Sequence, residues 1–234
     1  MANHSDIYKM FHSRSSLLML IVVALFIDQT PVISNFFRWQ ATFFHEISHG
    51  LAALATGGNV HKIEVNFSGA GLCHTSGGVR WAVSLAGYMG TALWGLLVYF
   101  SAEAVSKKHA YILAVFIITV LAATELLYAK DFQSWLIISI IAVIYGGAIK
   151  FREKISLKLF LKLAGLYMVV DSLKSPIALL RHHPPNDAAS LAAQTGLPEF
   201  IWIVLWVATA LVCLASIWQI DKKPEQTCKA EQAA

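Results

Sequence analysis

Thr42-Phe43-Phe44-His45-Glu46-Ile47-Ser48-His49-Gly50-Leu51-Ala52-Ala53-Leu54-Ala55-Thr56-Gly57-Gly58 sets a His-Glu-x-x-His pentapeptide inside an apolar run of helical period. Residues four apart share a helix face, so His45 and His49 can turn both imidazoles toward one metal ion. Glu46 stands about 100° further round the axis, where it can reach a water on that metal without ligating it. Metal-assisted hydrolysis needs this set: two neutral nitrogen ligands, an open coordination position and a base beside the water. The blander alternative is a helix carrying two interfacial histidines and a snorkelling glutamate. Three polar side chains in so apolar a segment are costly unless paired or ligating, which favours the metal, with Zn2+ as the ion.

The surrounding chain is 57% hydrophobic and 14% charged over 234 residues, with a mean hydropathy of +0.60. Soluble domains carry about a quarter charged residues, so this is an integral, multi-pass membrane protein whose first partner is the lipid bilayer. A net charge of +4 scattered over short loops suits acidic lipid and gives no basis for nucleic-acid binding. Cys73, Cys213 and Cys228 lie far apart with no CxxC pair. That argues against a disulfide framework or a thiolate zinc site, and leaves nitrogen and oxygen to hold the metal.

Upstream of the motif, residues 1–15 form a polar segment. The apolar run that follows has no small-x-small cleavage site after it, so 16–37 read as an uncleaved first span bent at Pro31. Arg38-Trp39-Gln40 marks an interface, and the motif helix is expected over 40–56 with Gly57 as its C-terminal cap. Its small residues Gly50, Ala52, Ala53 and Ala55 admit a close neighbour, or are ordinary packing.

Downstream, Val60, Lys62 and Glu64 alternate with His61, Ile63, Val65 and Phe67. Ser68-Gly69-Ala70-Gly71 then turns the chain, Leu72-Cys73-His74-Thr75 extends, and Ser76-Gly77-Gly78 closes. The pattern predicts a β-hairpin over about 59–78. A strand beside a metal site would hold an unwound substrate by strand addition, with Ile63 and Val65 positioning it; a plain connector is the alternative. His61 and His74 read as interface or pairing histidines. A span over 81–101 carries a small face (Ala82, Ala86, Gly87, Gly90, Thr91, Gly95) expected against the motif helix, with Gly87 and Gly90 as further substrate-positioning residues.

After the loop Lys107-Lys108-His109 come spans over 110–129 and 135–149, with Glu125 pairing locally at an interface. The basic run Lys150, Arg152, Lys154, Lys158, Lys162 is expected to face lipid headgroups. A span over 159–180 is broken by Asp171, Lys174 and Pro176. Asp171, at a depth where an ionisable group needs a partner, is the first candidate for a third metal ligand, and an i,i+3 pair with Lys174 is its alternative. Asp187, in the polar loop 181–189 with the solvated His182 and His183, is the second. Asn186 or Asp187 would equally cap a short helix through Gln194. A last span over 200–220 precedes a charged tail, 221–234, expected to be disordered. The fold class is an all-α polytopic membrane protein. It has six to seven membrane helices and one short β-hairpin after the motif helix, all in a single domain over 16–220.

His45 to Gly58, followed by the strand-like 60–65, resembles the site-2 protease group of membrane zinc metallopeptidases. More narrowly, it is similar to a branch with the motif, Thr-Gly-Gly, a hairpin, then Gly-Tyr-x-Gly, here Gly87-Tyr88-Met89-Gly90. That branch also carries an aspartate in a late helix and a Ser/Asn-Asp-Ala element, which Asp171 and Asn186-Asp187-Ala188 match, followed here by Thr195-Gly196-Leu197-Pro198. The resemblance implies a polytopic intramembrane zinc protease with His45 and His49 as ligands and Glu46 as base. Other site-2 proteases draw their third ligand from Asn-Pro-Asp-Gly or Leu-Asp-Gly; neither string occurs here, so Asp171 and Asp187 both stay open.

The function this predicts is zinc-dependent endopeptidase action on a transmembrane protein substrate. Peptide bonds in or beside the bilayer would be hydrolysed by a metal-bound water, with Glu46 as general base. A metal-binding membrane protein or transporter is the first rival, although transporters spread ligands over repeated halves and no repeat is visible. A non-catalytic relative that binds membrane partners is the second. Nothing in the sequence sets an oligomeric state.

Overall fold

The computed structural model describes residues 14–103, 107–151, 156–181 and 186–220. The expectations for most of 1–15, for Arg152, Lys154, His182 and His183, and for the tail 221–234 lie outside the described residues. Helix α1 (Arg14–Ile27) is followed by α2 (Pro31–Ala55), strands β1 (Asn59–Val65) and β2 (Gly71–Ser76), and helices α3 (Arg80–Glu103), α4 (Lys107–Tyr128) and α5 (Phe132–Lys150). Then come α6 (Leu157–Ala178), a 3₁₀ turn (Leu179–Arg181), α7 (Asp187–Thr195) and α8 (Glu199–Ile220). Among the described residues, five helical stretches are long and apolar enough to cross a membrane, and the α1–α2 pair, bent by 100°, makes a sixth if it counts as one span.

Pro31 starts a helix where a bend within one span was expected. Thr30 is extended and Pro31 takes the first turn of α2, where proline's missing N–H costs nothing and its fixed φ suits the helix. Residues 32–37 therefore belong to the motif helix, which runs 25 residues, about 37 Å. It ends where Gly57 takes a φ of +82° and Gly58 N–H donates to Ala53 O at 2.8 Å, as a glycine beyond a helix end should allow.

The hairpin pairs antiparallel, Val65 with Gly71 and Ile63 with Cys73, and a bulge at Val60/Lys62 leaves His61 unpaired in the ladder. Motif-helix side chains pin its loop: Arg38 donates to Ser68 O at 2.6 Å, Trp39 to Phe67 O at 3.2 Å and Thr42 to Gly69 O at 2.6 Å. Gln40, expected at an interface, is instead fully buried, where it donates to Ala164 O and accepts from Tyr145 O–H.

The small face of α3 divides between two neighbours. Gly87 and Gly90 meet α2, as expected, while Gly95 meets Gly165 of α6 so closely that a Cβ on either would lie 2.6 Å from the other's carbonyl oxygen. Lys158 and Lys162, expected at headgroups, turn inward to Glu103, at 3.5 Å and 2.9 Å. A buried ammonium needs such a partner.

Candidate metal centre

His45 and His49 project from one face of α2, one turn apart, and their Nε2 atoms lie 3.0 Å from each other. Asp187 Oδ2 lies 3.1 Å from His45 Nε2 and 3.3 Å from His49 Nε2. Two nitrogen ligands about 2.05 Å from a tetrahedral zinc would stand about 3.3 Å apart, so the three edges have the size of one face of a zinc coordination shell. His49 Nδ1 donates to Val83 O at 2.6 Å. A carbonyl only accepts, so Nδ1 carries a proton and Nε2 is the atom left to face a metal, as a metal-binding imidazole requires. Among the described residues, this is the one group of three His, Cys, Asp or Glu side chains able to hold a metal ion.

Asp187 reaches the cluster because its neighbour relieves it of capping. Asn186 Oδ1 accepts from Ala189 N–H at 2.9 Å, so Asp187, first in α7, is free to turn toward the histidines. Burial works to raise its carboxyl, but the bonds to His45 and His49 and their charges outweigh it, and the group is held well below the usual carboxylate range. It is therefore ionised at neutral pH, as a ligand must be.

Glu46 is buried, with the Cys73 N–H of β2 directed at its carboxylate. Burial, with the charge of Glu46, pushes the Cys73 thiol up to about 12; the three side chains that converge are His45, His49 and Asp187, so the donor set is nitrogen and oxygen. The cluster opens on a cavity of about 560 Å³ that includes Glu46, Tyr88, Asp171, Ser175 and the β2 residues Gly71 to Cys73.

The other expected site residues fall differently. Asp171 is in the cavity wall, bonded to Ser175, but outside the ligand cluster. Lys174 pairs with Asp28 across the α1–α2 break, not with Asp171. Ile63 and Val65 are not among the residues that line the cavity. They are buried at 1% and 0% exposure on the inner strand, where Val65 N–H donates to Ser134 Oγ, and β2 is the strand that borders the cavity. Gly87 and Gly90 serve clearance: a Cβ on Gly87 would lie 2.5 Å from His45, and one on Gly90 2.2 Å from Ser48 Oγ. Sequence reasoning gave no part to Tyr88, although it stands inside the quoted Gly-Tyr-x-Gly, nor to the Val83 carbonyl, which has no side-chain signal.

A membrane-embedded helical bundle with this centre defines a membrane metallopeptidase-like protein. A family model described as Peptidase M50B-like matches residues 18–217, and the chain belongs to that family. Peptidases of this family are generally zinc-dependent. No curated protein and no solved structure matches the chain.

Proposed function

We propose that this chain is a zinc-dependent intramembrane endopeptidase, with His45, His49 and Asp187 as the protein ligands and Glu46 as the general base. The observation that carries this is the convergence of three donor atoms within 4.8 Å of one another at a polar cavity that also holds Glu46. Zinc held by His45, His49 and Asp187 would supply Lewis acidity toward a carbonyl and would make water a better nucleophile at neutral pH. Glu46 takes one proton from the attacking water and delivers a proton to the amide nitrogen as the C–N bond breaks, leaving a carboxylic acid and an amine. The substrate is a transmembrane or juxtamembrane segment, unwound and laid along the cavity side of β2, where strand addition presents its peptide bonds in extended form.

The test uses purified, zinc-loaded protein in lipid vesicles with a panel of single-span reporter segments, products being read by mass spectrometry. Wild type should cut at least one reporter. Glu46→Gln should keep its zinc and lose at least about a hundredfold in rate. A Glu46→Gln variant that cuts as fast as wild type overturns the mechanism.

A further inference from the structure

We infer that Tyr88 is a catalytic residue of this site: its phenol O–H donates a hydrogen bond to the scissile carbonyl oxygen as that oxygen gains negative charge. The inference rests on the endopeptidase reading above and adds to it the group that stabilises the developing oxyanion. Such a group must be a donor, must lie in the same cavity as the base, and must be held in place before reaction.

Tyr88 meets all three needs. It lines the cavity, and its phenol lies within electrostatic reach of Glu46, Asp171 and Asp187. Its ring stands edge-on to His45, with centroids 4.5 Å apart and planes at 73°. Trp206 packs on the same ring at 4.9 Å; it is fully buried and anchored by its Nε1–H to Leu85 O at 3.0 Å. A ring packed against both a cluster imidazole and a fixed indole is held in place, on a helix rather than a loop.

Several competing donors are spent. Thr42 O–H bonds Gly69 O, Thr91 O–H bonds Gly87 O, one of the Ser84 and Ser190 hydroxyls donates to the other, and Ser175 bonds Asp171. Among the described residues that wall the cavity there is no lysine or arginine. The Tyr88 hydroxyl forms no hydrogen bond to any described residue, so it is available to a substrate oxygen. A phenol is also neutral at ordinary pH, so it brings no counter-charge that would compete with the ligands for Asp187.

Tyr88→Phe removes one oxygen and keeps the ring against His45 and Trp206. Measured on the reporter that wild type cuts, kcat should fall about 10²- to 10³-fold, with KM within about twofold. Zinc content should stay that of wild type. Affinity for a phosphinic analogue of the cleaved segment, which mimics the tetrahedral transition state, should fall by the same factor, while affinity for the product peptides should not change. If Tyr88→Phe does not fold, fluorinated tyrosines placed at 88 keep ring and hydroxyl, and kcat should then follow phenol acidity. A kcat/KM within twofold of wild type overturns the inference. So does loss of zinc, or equal loss of phosphinic-analogue and product affinity, since either marks a packing role. Should Tyr88→Phe be normal while Glu46→Gln is dead, only this inference fails; a wild type that cuts no reporter removes the endopeptidase reading itself.

Discussion

Gly87 has no side chain because two imidazoles occupy the space that one would need. A methyl there would press on His45 and His49 at once, at 2.5 and 2.6 Å, and neither ring can retreat without leaving Asp187 or Val83 O. Gly87→Ala should therefore weaken zinc binding by at least about tenfold, measured by competition with a calibrated chelator; an unchanged affinity would mean the rings have slack that the packing denies. Gly71 answers to the same logic on the other side, since its Cβ would lie 2.6 Å from Glu46 Oε1. At this scale His45, Glu46 and His49 were legible because helix periodicity alone puts them together. Asp187 and Asp171 were not separable, being the same chemistry on two different helices. What distinguishes them is that Asn186 takes the cap and frees Asp187, while Asp171 settles on Ser175.

The hairpin shows the same division between local and tertiary information. Alternation and glycines revealed that two strands follow the motif helix, yet they could not say which strand borders the site, because that depends on what β1 packs against. β1 is stitched to the start of α5: Val65 N–H donates to Ser134 Oγ at 3.0 Å, Ser134 donates to the capping Asp131, and Lys62 bridges Glu64 and Asp131 at 2.5 and 3.4 Å. The bond to Lys62 holds the Glu64 carboxyl below its usual range. Burial works to raise Asp131, but its bonds to Ser134 and Lys62 outweigh it and leave it lowered too. The unfolded segment thus binds protons more readily than the folded one, so the stabilisation is complete above about pH 5 and is lost as pH falls through the folded values, below about pH 4. Amide exchange at Val65, corrected for its intrinsic rate, should accelerate below about pH 4, and Asp131→Ala should cost about 1 kcal/mol of protection at pH 7. Flat protection from pH 7 to pH 3 would contradict this anchoring. Pro31 was half legible for a related reason: the chain does bend there, by 100°, but the same residue kinks a helix from inside or begins one, and only the extended Thr30 before it settles which.

Across the whole molecule, composition was enough to give a helical membrane bundle. Long-range partners were out of its reach. The small face of α3 looked like one contact surface, but successive turns of a helix meet different neighbours, so Gly95 serves the crossing with α6 at Gly165 rather than α2. Lys158 and Lys162 looked like headgroup ligands because Glu103, more than fifty positions earlier, gives no local sign that it will pair with them. The bundle matters to function through one result: it carries α7 back to α2, so that Asp187 meets histidines some 140 positions before it. Zinc content per chain, measured on detergent-purified wild type and on His45→Ala, Asp187→Ala and Asp171→Ala, tests that meeting most directly. One zinc in wild type and in Asp171→Ala, with loss in His45→Ala and Asp187→Ala, is the expected result. Zinc kept by Asp187→Ala but lost by Asp171→Ala, or no zinc in wild type, would contradict it.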